Sequence, residues 1–171
     1  MNDRTNLSLL GQDHEEEDQG SQFLTFILGT EHYGVSILSV QEIRGWEAAT
    51  RVPNTPSHLR GVVNLRGNIV PVYDLRLWFG MSEQEYTKET VVIIVRTEAD
   101  NEERSFGLAV DAVSDVLLVR EEQISNTPIF DASVPTEYIH GLASQENDMV
   151  MLLDLDSLAS STAMPADQGV V

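Results

Sequence analysis

The 171-residue chain predicts a mainly β fold built from a duplicated unit, with a few short helices. Three observations carry this. Short apolar runs alternate with turn residues through the middle of the chain. Val91 to Val95 (VVIIV) is an unbroken β-branched run, as suits a strand buried on both faces. Two blocks of sequence also recur in the same order. Tyr33 to Ile43 (YGVSILSVQEI) matches Phe106 to Val116 (FGLAVDAVSDV), 73 residues on. Gly61 to Leu75 aligns without a gap on Gly141 to Leu155, 80 residues on. The implied unit is about 70 residues: a hairpin, a connecting segment and a second hairpin. Small antiparallel units of this kind close into barrels to remove their edges.

Residues 1–21 form an acidic tail. Asp13, Glu15, Glu16, Glu17 and Asp18 repel one another with little apolar company, so disorder is expected there. Phe23 to Leu28 and His32 to Ile37 read as a hairpin turning at Gly29. Pro56 to Leu59 suits a short helix, with Thr55 as cap. In the next hairpin Arg66-Gly67-Asn68 is the tip, and glycine there permits a positive φ. Pro71 lacks an N–H, which predicts an edge strand or a bulge at that point. Leu75 to Phe79 is a second short helix. The run Thr97 to Ser105 is acidic and reads as a long loop. Phe106 to Val110, Val113 to Val119 and Met149 to Leu153 are further strands, and Asp154 to Ala159 is a last helix. The expected organisation is a folded domain over 22–158, with repeat blocks at about 23–80 and 90–158 between which strands can cross. A flexible tail is expected over 159–171.

Composition narrows the function. The chain has no cysteine, which excludes disulfides, thiol catalysis and Cys-ligated metals. The longest apolar run is five residues, against about 20 for a membrane helix. With no signal peptide in evidence at the N-terminus, a cytoplasmic protein is expected. Net charge is −18, from 28 acidic and 10 basic residues, so nucleic acid is a poor candidate partner. One segment departs from this balance. Arg44, Arg51, Arg60, Arg66 and Arg76 share a stretch with only Glu47 and Asp74. Arginine enrichment of this kind is what a protein-binding surface would show.

Catalytic signatures were sought in the residues. His14, His32, His58 and His140 have no metal-ligand spacing. There is no nucleophile elbow, phosphate loop or dinucleotide fingerprint. Asp154 and Asp156 fit helix capping better than acid chemistry. No cofactor and no enzymatic activity are expected.

The string Asn64 to Leu75 (NLRGNIVPVYDL), with Tyr33-Gly34-Val35, Val40 to Arg44, Asn54-Thr55-Pro56, Val91 to Val95, Gly107 to Val116 and Tyr138 to Leu142, resembles the CheW family of chemotaxis coupling proteins. The resemblance runs in family order from about Phe23 to Leu158. It implies two small five-stranded β-barrels side by side. It also implies a non-catalytic adaptor at receptor clusters beneath the inner membrane, bound to the chemoreceptor cytoplasmic tip and to the regulatory domain of a CheA-type histidine kinase. Rings including other CheW copies are left open. The matching partner-contact positions are Val40, Glu42, Ile43, Gly61, Arg66, Thr90, Gly107 and Val113. Val40 and Ile43 would supply apolar area, with core burial as the competing reading. Glu42 and Arg66 would set orientation, and Gly61 and Gly107 would permit backbone geometry. Rival readings are a CheW-like scaffold of another signalling system (surface motility or gene regulation), the regulatory module of a kinase, and a carboxylate-pair hydrolase.

Overall fold

The computed structural model describes residues 20–46, 53–99, 101–126 and 134–161. Both expected tails lie almost wholly outside this range. The described residues form ten strands. They are β1 (Ser21–Leu28), β2 (Glu31–Ser36), β3 (Val40–Gly45), β4 (Leu59–Leu65), β5 (Asn68–Asp74), β6 (Val91–Ala99), β7 (Glu102–Val110), β8 (Ala112–Val119), β9 (Ile139–Gln145) and β10 (Asp148–Leu153). Two short helices, α1 (Leu75–Trp78) and α2 (Leu155–Ser161), follow β5 and β10.

The strands make two curled five-stranded sheets. Sheet A has the order β8-β1-β2-β10-β9, and sheet B the order β3-β6-β7-β5-β4. Each sheet draws strands from both copies of the repeat. Hairpin β1–β2 of the first copy sits between β8 and β10 of the second, while β6–β7 of the second sits between β3 and β5 of the first. The joints are parallel pairs, β2 with β10 and β5 with β7.

The duplication holds at the level of register. Gly34 pairs with Leu152 in sheet A, and Gly107 with Val72 in sheet B. These glycines are the same position of the two copies, and a side chain would be crowded at Gly34 and would clash at Gly107. A Cβ on Gly34 would lie 3.1 Å from Leu152 Cδ2, and one on Gly107 would lie 2.8 Å from Val92 Cγ1. The irregularities repeat too. Residue 41 is skipped in the β3–β6 ladder and residue 114 in the β1–β8 ladder. The β4–β5 and β9–β10 hairpins bulge one residue before Gly61 and Gly141. Asp74 caps α1 by accepting from the Leu77 N–H, and Asp154 accepts from the Ser157 N–H in the same way. Asp154 is thus a cap, as its position beside an apolar run suggested.

Three buried clusters hold the layers. A large central cluster, including Phe26, Tyr33, Val35, Tyr73, Ile93, Phe106 and Leu108, lies between the sheets and draws on both. Leu65, Val70, Val72, Val92, Ile94 and Ala109 fill the curl of sheet B. Phe23, Val119, Ala143, Val150 and Leu152 fill that of sheet A. Strand β6 therefore has a core on either side, which is why residues 92–95 are all buried and all apolar.

Three local expectations are corrected. Residues 57–58 form a turn rather than a helix, closed by the Leu59 N–H on the Pro56 carbonyl at 3.1 Å. Thr97 to Ser105 is not a long loop. Strands β6 and β7 continue through it, pairing Thr97 with Arg104 and Ala99 with Glu102, with Asn101 at φ 62° in the turn. Glu98, Glu102 and Glu103 face water on a paired ribbon, Arg96 meets Glu103 across it at 3.5 Å, and Arg104 turns inward to the Ala159 carbonyl at 3.0 Å. Pro71 is not on an edge strand, because β5 lies between β4 and β7, and the β4–β5 bulge falls beside it, opposite Val72 and Tyr73. The ladder to β7 begins only at Val72, so no bond to that strand is lost at the proline.

Candidate partner-binding surface

Among the described residues, strand β3 is an outer strand of sheet B, paired on one side only, with β6. Its residues alternate between half-buried and exposed. Val40 packs against the central cluster. Ile43 is 45% exposed, and Ile69 on β5 is 53% exposed. Both are large apolar side chains left facing water on the same sheet.

The β4–β5 tip is a two-residue turn with Arg66 at φ 52° and Gly67 at φ 89°. Positive φ at both central residues matches the right-handed twist of a tight hairpin. Asn64 Oδ1 accepts from the Gly67 N–H at 2.8 Å and pins the turn. The tip carries Arg66 back across the curl to β3. Its guanidinium donates to Glu42 Oε1 at 3.3 Å, and Arg44 Nε lies 3.4 Å from Glu42 Oε2. Glu42 thus sits between two arginines, with Arg66 77% exposed at the rim. An exposed pair of this kind adds at most about 1 kcal/mol to stability. Beneath it, Arg44, Gly45, Val63, Val72, Val92 and Ile94 line a small apolar slit between the two outer strands of sheet B.

The eight residues singled out by sequence fall into separate groups. Glu42 and Arg66 come together over the curl of sheet B, while Val40 and Ile43 lie on the other side of β3, opposite Val95 and Ile93 of the central cluster. Gly61, Thr90 and Gly107 are buried. Gly61 has φ 147° beside the β4 bulge, and Gly107 has no room for a side chain. Thr90 is held inward. Its Oγ1 accepts from the Thr87 N–H at 2.9 Å, and its carbonyl accepts from the Trp46 N–H at 3.1 Å. Val113 lies on β8 of the other sheet, at the position matching Val40, and packs against the same central cluster.

Sequence reasoning missed an aromatic fastening beside this face. Trp46, directly after β3, stacks on Tyr86 with ring centres 3.8 Å apart. Tyr86 Oη donates to Asp74 Oδ2 at 2.7 Å, and the Arg60 guanidinium lies 5.7 Å from its ring. Burial, then the Asp74 carboxylate, pushes the Tyr86 phenol well above its ordinary range. A lone tyrosine in the polar stretch from Gly80 to Glu89 was the available signal.

His58 packs against both Tyr73 and Trp78, at 5.7 and 5.3 Å, and those two rings meet each other at 4.7 Å. Burial lowers its pKa. The folded state then binds a proton less readily than the unfolded chain, so stability falls as pH drops below the ordinary imidazole value of about 6.5. Denaturant midpoints measured from pH 7.5 to 5 should fall over this range for the native chain, and the fall should be shallower in His58→Phe. Equal slopes would show that His58 does not contribute.

Among the described residues no group of three or more His, Asp or Glu side chains could hold a metal ion, and no helix is long and apolar enough to cross a membrane. Residues 22–163 match the CheW-like domain family. The chain belongs to that family. It is 45% identical over 148 residues to the chemotaxis protein CheW of Klebsiella aerogenes, covering 86% of this chain and 87% of that one. With the chemotaxis protein CheW of Bacillus subtilis it shares 32% over 150 residues, covering 85% and 94%. The crystal structure of the scaffolding protein TtCheW from Thermoanaerobacter tengcongensis superposes with a TM-score of 0.72 at 32% identity, covering 81% of this chain and 92% of that one.

Proposed function

We propose that this CheW-family protein is a non-catalytic adaptor that couples chemoreceptors to a CheA-type histidine kinase. Its place would be at receptor clusters beneath the inner membrane. The observation that carries the reading is the β3 face. Four of the family-matched positions lie on or reach this outer strand, with exposed apolar area at Ile43 on one side and the charged group Arg66, Glu42 and Arg44 on the other. Apolar area supplies affinity at such a face, and the charged rim supplies orientation. The names of the CheW relatives and the scaffolding title of the structural neighbour support the same role.

Arg66→Glu tests it. The substitution places a second carboxylate beside Glu42 on an exposed turn. Stability should change by no more than about 0.5 kcal/mol. Binding to a receptor cytoplasmic fragment should weaken by roughly 1–3 kcal/mol, and kinase binding without receptor should survive. Titrations against the two partners separately, beside a melting curve, decide this. Unchanged binding to both partners would make Arg66 a bystander. Failure of the native chain to bind either partner would sink the adaptor reading itself.

A further inference from the structure

The path of the chain between the sheets singles out one residue. Among the described strands it passes from sheet A to sheet B through Ile37–Ser39, and returns from B to A between β7 and β8. The return is a single residue, Asp111. Its backbone N–H donates to the Ile27 carbonyl of β1 at 3.1 Å. Its carboxylate accepts from the Gly29 N–H in the β1–β2 turn at 2.7 Å. The same carboxylate takes both arms of Arg76, Nε on Oδ1 at 3.2 Å and Nη2 on Oδ2. Arg76 stands on α1, which leaves sheet B directly after β5. The Arg76 side chain is only 12% exposed, and that of Asp111 32%. A forked arginine on one carboxylate, largely shielded from water, is the geometrically specific form of an ion pair.

The duplication supplies an internal control. Leu38 matches Asp111 in the first copy, and Asp156 matches Arg76 in the second. These two cannot form such a pair, and Leu38 is 92% exposed. One crossing between the sheets is therefore clasped and its twin is open, in a molecule whose ladders are otherwise matched register for register.

We propose that the Arg76–Asp111–Gly29 clasp is a positioning element: it fixes the angle between the two sheets, and with it the separation of the β3 face from the matching β8 face. Partners that engage both faces at once read that separation, and a partner on one face alone does not. This second part rests on the adaptor reading, while the first does not.

The absence of cysteine makes the test direct. Ile69 and Met149 occupy matching positions on β5 and β10, and each is 53% exposed. Spin labels on Ile69→Cys and Met149→Cys in the full chain report the distance between sheets without any partner. The native clasp should give one narrow distance distribution. Arg76→Ala should broaden it, Asp111→Asn should broaden it less because an acceptor for the Gly29 N–H remains, and Arg76→Lys should fall nearest the native chain. Each one-face affinity should stay within about twofold, while assembly of receptor fragment and kinase on one adaptor weakens roughly five- to tenfold. An unchanged distribution in folded Arg76→Ala would overturn the proposal. If Arg76→Ala does not fold, Asp111→Asn carries the test, and a native-width distribution or unfolding in that variant also overturns it. A broadened distribution in a protein whose native form binds neither partner would retire the adaptor reading and leave the clasp standing.

Discussion

Phe106→Ala is expected to cost about 3–5 kcal/mol of stability. Phe106 is fully buried, packs edge-on against Tyr73 with ring centres 6.2 Å apart, and belongs to the cluster that both sheets share. Truncation removes most of an aromatic ring from a place whose neighbours are strands fixed by ladders on both sides. Collapse into the gap is therefore limited, and the cavity penalty adds to the lost transfer energy. For a domain of this size the melting temperature should fall by roughly 6–20 °C. The matched residue in the first copy, Tyr33, is equally buried and stacks on Phe26, so the two positions should be similarly sensitive. Calorimetry of the native chain and the variant decides it. A loss below about 1 kcal/mol would mean that the central cluster is not what joins the sheets.

Ile43→Asp should abolish most binding at the β3 face while leaving the fold intact. Ile43 is 45% exposed on an outer strand, so an aspartate can turn to water in the free protein. In a complex the same carboxylate would be desolvated. Loss of an apolar anchor at the centre of an interface costs about 2 kcal/mol or more, or roughly 30-fold in affinity. Val116, 44% exposed on β8, is the matching residue of the other copy and provides the companion variant. If Ile43→Asp and Val116→Asp affect different partners, the duplicated faces have diverged in what they bind. Native affinity for both partners in Ile43→Asp would remove β3 from the functional surface.

Much of the fold could be read from local sequence. The string from Asn64 to Leu75 declares its hairpin because a tight turn needs Gly67 and the flanking residues alternate around it. Residues 91–95 declare a doubly buried strand because every one is apolar and β-branched. The repeat declared the pairs Gly34/Gly107 and Asp74/Asp154 before any coordinate did. What stayed hidden was the parallel pairing that exchanges hairpins between the copies. Those contacts join Val150 to His32 and Val72 to Gly107, partners too far apart for periodicity to register. The acidic run from Thr97 to Ser105 misled because composition speaks to solvent exposure, and one face of a two-stranded ribbon is as exposed as a loop. At the functional surface, Arg66 was legible from its turn. Its partner Glu42 was on the page without the contact, since only the curl of sheet B brings them together. Asp111 sat inside one matched block and Arg76 directly after another, and nothing local marks them as a pair.

The interleaving of the copies also sets an order of events during synthesis. All five strands of sheet B lie in one uninterrupted stretch from Val40 to Val110, so that sheet can complete itself as soon as this stretch has left the ribosome. Sheet A cannot. Its central hairpin, Ser21 to Ser36, emerges first and must wait for β8, β9 and β10, the last strands to appear. During that interval two strands with apolar inner faces hang unpaired on both edges, beside a finished sheet whose share of the central cluster is still uncovered. A pause after β7 has emerged and before β8 has would therefore present the nascent chain in its most aggregation-prone form, and this is the stage at which a chaperone has the most to protect.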